Sequence, residues 1–337
     1  MPKQKTTKSR KDDHIRICLE EDVEYMKGNG FERYEFLHKA LPEVDFQAID
    51  CSTRFLGKRL GYPLFVTGIT GGTEQAQKIN RNIALACEAL GIGFGVGSQR
   101  AMLEKPSLIK TYEVRHVAPN TLILGNIGAM QLFEYDIEKI RLMVKNIGAD
   151  GLAVHLNPAQ EMAQDEGDYA WSGVLQKIRN LTALVKFPVL VKEVGTGISG
   201  DVARQLALAG VKAIDVSGAG GTSWIKVDSY RSEREMDNFL EWGIPTAEAL
   251  KDVVSKVKIP VMASGGIRNG IDVAKAIAMG SAVVGFALPV LKPATKSWEA
   301  VKERIEQIIF ELKTAMLLVG AKNLDQLRRT KLTEKYK

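Results

Sequence analysis

The stretch Gly151-Leu152-Ala153-Val154-His155-Leu156-Asn157-Pro158-Ala159-Gln160-Glu161 runs from apolar residues straight into an imidazole, two carboxamides and a carboxylate. Its first half reads as a short strand, and alternation along it sends His155 and Asn157 to the same side. Polar residues also end strands in ordinary loops, so the segment gains weight only if the pattern recurs. It does. Seven more short apolar runs end in small or polar residues: Pro63 to Gly68, Gly91 to Gly97, Thr121 to Asn126, Pro188 to Glu193, Ala213 to Gly218, Pro260 to Gly265 and Ala282 to Ala287.

Helix-like segments lie between these runs, for example Thr73 to Leu90, Glu134 to Ile147, Gly200 to Ala209 and Ile271 to Met279. Their apolar residues recur every three or four positions, and Gly91, Gly148, Gly210 and Gly280 close them. Near-continuous apolar strands alternating with helices imply a parallel sheet covered on its faces. Eight units predict an α/β fold, a single (β/α)8 TIM barrel; a doubly wound sheet is the competing architecture and does not explain the count. The active site of such a barrel is built at the C-terminal ends of its strands.

Three parts fall outside the rhythm. Residues 1–60 are expected to form an N-terminal extension covering the barrel mouth, with a helix over Glu32 to Leu41. Residues 219–246 form a long insertion after the sixth strand, of the kind that serves as a lid or oligomer contact. The barrel spans 61–320 and ends in an amphipathic helix, Trp298 to Val319; residues 321–337 read as a basic tail.

With 337 residues, 45% of them hydrophobic and 26% charged, the composition is that of an ordinary globular protein. No apolar run is long enough for a membrane helix, and Met1 to Lys11 has no apolar signal-peptide core. Cys18, Cys51 and Cys87 are widely spaced, which argues against a zinc site and suits a cytoplasmic location. The net charge of +6 is concentrated toward the two ends. It lacks the interleaved basic and aromatic stripe that nucleic acid would need, so neither a nucleic acid nor a membrane is expected as partner.

The loops after strands seven and eight, Ser264-Gly265-Gly266-Ile267-Arg268 and Gly285-Phe286-Ala287-Leu288, occupy the usual phosphate site of this fold. Ser217-Gly218-Ala219-Gly220-Gly221-Thr222 after strand six can share that duty; tight turns required only by the chain path are the competing reading. Thr67-Gly68-Ile69-Thr70, Ser98 and Asn126 leave room for a planar ring, and Lys192 can stabilise negative charge on a reduced one. A phosphate slot with such a floor suggests FMN. Lys192 as a Schiff-base lysine is the alternative.

These pieces together resemble the type 2 isopentenyl-diphosphate isomerase family. The matching motifs are Arg10-Lys11-x-x-His14-Ile15, Thr67-Gly-x-Thr-Gly-Gly72, Gly97-Ser-Gln-Arg100, His155-Leu-Asn-x-x-Gln-Glu161, Ser217-Gly-x-Gly-Gly-Thr222 and Ser264-Gly-Gly-Ile-Arg268. The resemblance implies reversible conversion of isopentenyl diphosphate to dimethylallyl diphosphate, with reduced FMN, NADPH as reductant, Mg2+ and no net redox change. It further implies proton addition at the terminal methylene, with reduced flavin N5 as the favoured donor, and proton loss from C2. Family members assemble into homotetramers or homo-octamers.

By the same resemblance Arg10, Lys11, His14, Ser98, Gln99, Arg100, His155, Asn157 and Gln160 belong to the substrate. Thr67, Gly68, Ile69, Thr70, Ser98, Asn126, Lys192, Ser217, Thr222, Gly265, Gly266, Arg268, Ala287 and Leu288 belong to the cofactor. The chemistry agrees: a diphosphate needs guanidinium and ammonium partners, and Glu161 is a suitable oxygen ligand for magnesium. Gln160 and His155 are the catalytic candidates beside the flavin. A carboxamide does not titrate near neutrality, so Gln160 is assigned to positioning. Trp224 and the three cysteines are read as packing residues, and His38 and His116 as structural or surface. A hydroxyacid oxidase would need a His beside Arg268, and a nucleotide dehydrogenase a cysteine in a barrel-face loop; the sequence has neither.

Overall fold

The computed structural model describes residues 7–335, with side chains from residue 10 onward; residues 1–6 of the basic N-terminal segment and the last two residues lie outside the described residues. Eight parallel strands close into a barrel. They are β1 (Leu64–Val66), β2 (Gly93–Gly95), β3 (Ile123–Gly128), β4 (Gly151–His155), β5 (Val189–Lys192), β6 (Ala213–Asp215), β7 (Val261–Ala263) and β8 (Val283–Phe286). Each lies in one of the eight apolar runs, because a strand buried on both faces has no polar side to alternate with. β8 pairs with β1, and β6 with β7, to complete the circle.

The helices between strands start and stop where local chemistry dictates. Thr73 caps the helix Glu74–Leu90 by accepting from the Ala76 N–H, and Gly91 ends it in the left-handed region at φ 65°. Asp136, Ser199 and Asn269 cap three more in the same way. No helix among the described residues is long and apolar enough to cross a membrane.

The barrel interior is filled by Phe65, Leu124, Ala153, Leu190, Met262 and Val283. Phe55 and Leu60 belong to the same cluster. They come from an antiparallel hairpin, Thr53–Phe55 with Lys58–Leu60. Lys58 bonds to the carbonyl of Thr121 at 3.1 Å, just before β3 begins, so the hairpin plugs the N-terminal end of the barrel. The first 60 residues therefore do not all cover the mouth. Their leading helix, α1 (Thr7–Glu20), lines the cleft, and Glu24, Tyr25 and Asn29 after it pack on the rim loops that follow β6 and β7.

The expected helix over Glu32 to Leu41 is absent. Phe31–Arg33 makes one 3-10 turn, and Tyr34–Phe36 is a strand paired antiparallel with Leu332–Glu334. Tyr and Phe favour a pleated surface, and the partner strand lies some 300 residues away, beyond the reach of local periodicity. The same pairing corrects the reading of residues 321–337 as a tail. Leu324 and Leu327 anchor a helix, Leu324–Arg329, in the core, and the strand follows it.

Candidate active site

The C-terminal ends of the strands surround one large cleft of about 1570 Å³, measured to include its opening to solvent. The floor and one wall come from the strand-end loops. Thr67, Gly68, Ile69 and Thr70 follow β1; Ser98 follows β2; Asn126 lies on β3; Lys192 ends β5; Ser217 and Thr222 follow β6; Gly265, Gly266 and Arg268 follow β7; Ala287 and Leu288 follow β8. His155, at the end of β4, stands between Asn126 of β3 and Lys192 of β5 and leads into Asn157, Gln160 and Glu161. The last two stand on the short helix α2 (Pro158–Ala163), where Pro158 opens the first turn.

α1 crosses above. It turns Arg10, Lys11, His14, Ile15 and Cys18 into the cleft, a spacing that keeps them on one helix face. A third helix, α3 (Trp224–Ser229), lies in the insertion after β6 and is capped by Ser223. Its Trp224 lines the cleft and meets the His14 ring edge-on, with centroids 5.1 Å apart. Trp224 and Cys18 thus stand at the site, although the sequence reading placed them in packing.

Asp228 of α3 is the side chain that joins these parts, and sequence reasoning did not find it. It is wholly buried. Its Oδ1 pairs with Nε2 of His14 at 2.9 Å and with Arg231 at 2.7 Å. Its Oδ2 accepts from the amides of Gln160 at 3.0 Å and Gln164 at 2.9 Å. Burial pushes this carboxyl up, but the contacts with His14, Gln160 and Gln164 prevail and hold it down at about 2. A lone aspartate in an insertion has no local signature; the only hint was the length of the loop.

The basic groups are held by neighbours. Lys11 donates to the Ser98 carbonyl at 2.6 Å and the Tyr112 hydroxyl at 2.7 Å. Burial, helped by the charge of Arg10, lowers its ammonium to about 7. Arg10 bonds to Gln164 at 3.2 Å and reaches Glu166 at 3.4 Å. Arg100 bonds to Glu104 at 3.0 Å and stands 3.9 Å from Glu134 and from Asp168. Arg268 pairs with Glu24 of the N-terminal segment.

After β4, Asn157 donates to Oε1 of Glu161 at 2.7 Å and to Oε1 of Gln160 at 3.2 Å. The Asp168 N–H donates to Oε2 of Glu161 at 2.9 Å, and burial raises the Glu161 carboxyl above its ordinary value. No cluster of three His, Cys, Asp or Glu side chains suited to a metal exists among the described residues. A cation here would rest on one carboxylate together with ligand and water oxygens.

Lys192 is buried, and its ammonium contacts the Glu193 carbonyl. The Glu193 side chain turns away, accepting from the N–H groups of Val194 at 2.6 Å and Gly195 at 2.7 Å. Asp215 stands beside Lys192 in the β5–β6 register and is fully buried. It accepts from Ser264 at 2.7 Å, and burial raises it to about 6.

Gln99 corrects an expectation. It is wholly buried and does not line the cleft. Its Oε1 accepts from the Asn126 N–H at 3.0 Å and its Nε2 donates to the Met143 carbonyl at 3.4 Å, so it braces β3 rather than binding substrate. Gly125 makes room for it, since a Cβ there would stand 2.7 Å from Oε1. Part of the glycine signal is also architectural. A Cβ on Gly265 would meet the Gly218 carbonyl at 2.0 Å, and one on Gly266 the Gly220 carbonyl at 2.3 Å, so these residues let two rim loops stack. His116 is exposed and pairs with Glu113 at 2.8 Å, and His38 is exposed; both stand apart from the cleft.

Comparison with known proteins places this geometry. Residues 137–334 match the model of the FMN-dependent dehydrogenase family. Among solved structures, a flavocytochrome b2 variant with pyruvate bound superposes at TM-score 0.69 with 18% identity, covering 95% of this chain and 82% of that one. A mandelate oxidase variant with (S)-mandelic acid gives 0.68 and 18%, covering 97% and 95%. These likenesses speak to the fold alone. Sequence relatives are far nearer. The isopentenyl-diphosphate delta-isomerase of Pyrococcus furiosus is 47% identical across 95% of this chain and 85% of its own length. Those of a Nostoc species and of Methanothermobacter thermautotrophicus are 46% and 48% identical, covering 96% and 95% of this chain and 95% and 91% of theirs. With relatives this similar along nearly the whole chain, and with a barrel of the FMN-dependent kind, the chain belongs to the type 2, FMN-dependent isopentenyl-diphosphate delta-isomerase family.

Proposed function

We propose that this enzyme interconverts isopentenyl diphosphate and dimethylallyl diphosphate, using reduced FMN, Mg2+ bound with the diphosphate, and NADPH as reductant. The observation that carries the proposal is the shared cleft. Small strand-end residues around Lys192 and the polar run of His155, Asn157, Gln160 and Glu161 line one opening, together with a helix bearing Arg10, Lys11 and His14.

The donor set fits FMN. Among the described residues Lys192 donates to one backbone carbonyl, and it keeps donor capacity for a ring edge. The helix Leu288–Lys296 begins at the cleft, with Ala287, Leu288 and Leu291 among the lining residues, beside the loops that would take the phosphate. When bound in reduced form, the flavin supplies an acid–base group next to the reacting carbons. Thr67, Gly68, Ile69, Thr70, Ser98, Asn126, Ser217, Thr222, Gly265, Gly266, Arg268, Ala287 and Leu288 form its bed, and Lys192 balances charge on the ring.

The chain's own groups then divide the work. Arg10, Lys11, His14, Ser98, Arg100, His155 and Asn157 hold the diphosphate. Glu161 would hold Mg2+ through a carboxylate oxygen, and the metal would neutralise charge on the diphosphate. Asp228 and Asn157 fix both ends of the Gln160 carboxamide, which orients the five-carbon chain over the ring. Closure by α1 and α3 excludes water from the carbons that exchange protons.

Three free cysteines suit a reducing cytoplasm. We infer a homotetramer or homo-octamer, to which the exposed apolar side chains of Met26, Leu208 and Trp242 offer surface. Product formation from isopentenyl diphosphate, with and without reductant, tests the proposal.

A further inference from the structure

Asn126 and His155 form a hydrogen-bonded chain whose polarity is set by a backbone carbonyl. Asn126 is nearly buried on β3, and its Nδ2 donates to the Val96 carbonyl at 3.0 Å. A carbonyl only accepts, so the amide nitrogen must lie on that side and Oδ1 on the other. Oδ1 stands 2.9 Å from Nδ1 of His155 on β4. An amide oxygen cannot donate, and Nδ1 therefore carries the hydrogen. In the neutral ring this leaves Nε2 as a bare lone pair. No hydrogen-bond partner for Nε2 exists among the described residues, and His155 lines the cleft. Gly128 lies opposite His155 in the β3–β4 register; a Cβ there would stand 2.3 Å from Oε1 of Gln131 and 3.0 Å from Nε2 of His155, so the glycine lets both side chains enter the cleft, and the Gln131 oxygen makes no hydrogen bond to Nε2.

The surroundings keep this ring neutral. Burial disfavours its charged form, and the charges that act on it most are both cations, Lys192 from β5 and Lys11 from α1; together they lower it to about 3. A diphosphate changes that balance. Its oxygens are acceptors, and an acceptor facing a lone pair gains nothing until a proton lies between them. Its negative charge also offsets the two ammonium groups that suppress protonation.

We propose that Asn126 is a positioning residue that locks His155 as the Nδ1–H tautomer, so that binding of a diphosphate draws a proton from solvent onto Nε2. The proton passes from water to the ring nitrogen, an N–H bond forms, and an imidazolium donates to a phosphate oxygen; nothing is oxidised or reduced. The ring then grips the anion as a cation and becomes neutral again when product leaves. The second part of this inference rests on the reading of the cleft as a diphosphate site. The first part, the tautomer of the free enzyme, does not.

The test uses FMN-loaded enzyme labelled with 15N-histidine, which gives four ring systems because the chain has 4 histidines. His155→Gln identifies the His155 signals by their loss. The free enzyme should show Nδ1 protonated and Nε2 unprotonated. Saturation with inorganic pyrophosphate and Mg2+ at alkaline pH, where the ligand has no proton of its own to give, should convert both nitrogens to the protonated form. Calorimetry in two buffers of different ionisation enthalpy should then show uptake of about one more proton per ligand in wild type than in His155→Gln.

Asn126→Ala removes the acceptor that holds Nδ1–H. The free ring of this variant should then populate the Nε2–H tautomer, which the wild type does not. An Nε2–H tautomer in the free enzyme overturns the role of Asn126. A correct tautomer with a ring that stays neutral under bound pyrophosphate overturns the proton coupling. If pyrophosphate perturbs no histidine and gives no heat, the diphosphate reading fails with the coupling, while the tautomer result stands by itself.

Discussion

Asp228 and Gln160 are separated by 68 residues in the chain and meet over the barrel mouth, where the Gln160 amide donates to the Asp228 carboxylate at 3.0 Å. The same carboxylate holds His14 of α1. One buried charge thus fixes both the covering helix and the carboxamide assigned to substrate positioning.

Asp228→Asn should therefore lower kcat more than it raises KM. The new amide cannot accept from all four donors, and Gln160 loses its fixed orientation. We expect kcat to fall by about tenfold or more, equivalent to ~1.4 kcal/mol of transition-state stabilisation. Steady-state kinetics with intact far-ultraviolet circular dichroism would check it. Equal effects on kcat and KM would point to general loosening instead.

Acid should release the same junction. The Asp228 carboxyl sits at about 2, below its ordinary 3.8. Its contribution to stability is thus complete above about pH 4 and fades as the pH falls toward 2. Proteolysis of the N-terminal segment, followed as pH drops through this window, should accelerate in wild type and be fast at every pH in Asp228→Ala. That variant should also lose about 3–5 kcal/mol, because His14, Gln160 and Gln164 lose their shared acceptor and the buried Arg231 keeps only the more distant Glu166 and Asp13.

The eight strands were legible because a strand buried on both faces must be apolar along its length, and the caps Thr73, Asp136 and Asn269 mark helix starts by local chemistry. The rim residues were legible as strand ends, which in a closed barrel converge. Three features were not. Asp228 works through partners 64, 68 and 214 residues away, and nothing beside it announces this. Gln99 sits in a rim motif but turns inward, a choice made by the empty space at Gly125. Tyr34–Phe36 became a strand because its partner is the far end of the chain.

Lys11 carries a prediction of its own. Its ammonium, lowered to about 7 by burial, is fully charged only below that pH in the free enzyme. Affinity for inorganic pyrophosphate should decline as pH rises through about 7, in addition to any contribution from His155. Lys11→Met should flatten this part of the profile and raise KM by about 10–100-fold, the range of a charge-assisted hydrogen bond worth ~1.5–3 kcal/mol. Calorimetric titrations across pH would show it.

Glu161→Gln keeps the size of the side chain but removes its charge and one of the two oxygens that accept from Asn157 and the Asp168 N–H. The magnesium concentration for half-maximal activity should rise by at least about tenfold, since hard cations favour carboxylate oxygen. An unchanged magnesium titration would remove Glu161 as the ligand.

Lys192→Met should weaken FMN binding, read by fluorescence of released flavin. It should also destabilise the fold, because Asp215 would remain buried beside an apolar side chain. Adding Asp215→Asn should recover much of the stability without restoring flavin affinity. Recovery of both would assign Lys192 to the fold rather than to the cofactor.

Isomerisation by the reduced flavoprotein can be read in an anaerobic assay of the purified protein with FMN, Mg2+ and isopentenyl diphosphate, in the presence and absence of NADPH. Dimethylallyl diphosphate should form only when the flavin is reduced, with no net consumption of NADPH per turnover. Reducible, bound FMN that yields no product, or product formed equally well without flavin, would contradict the proposed function.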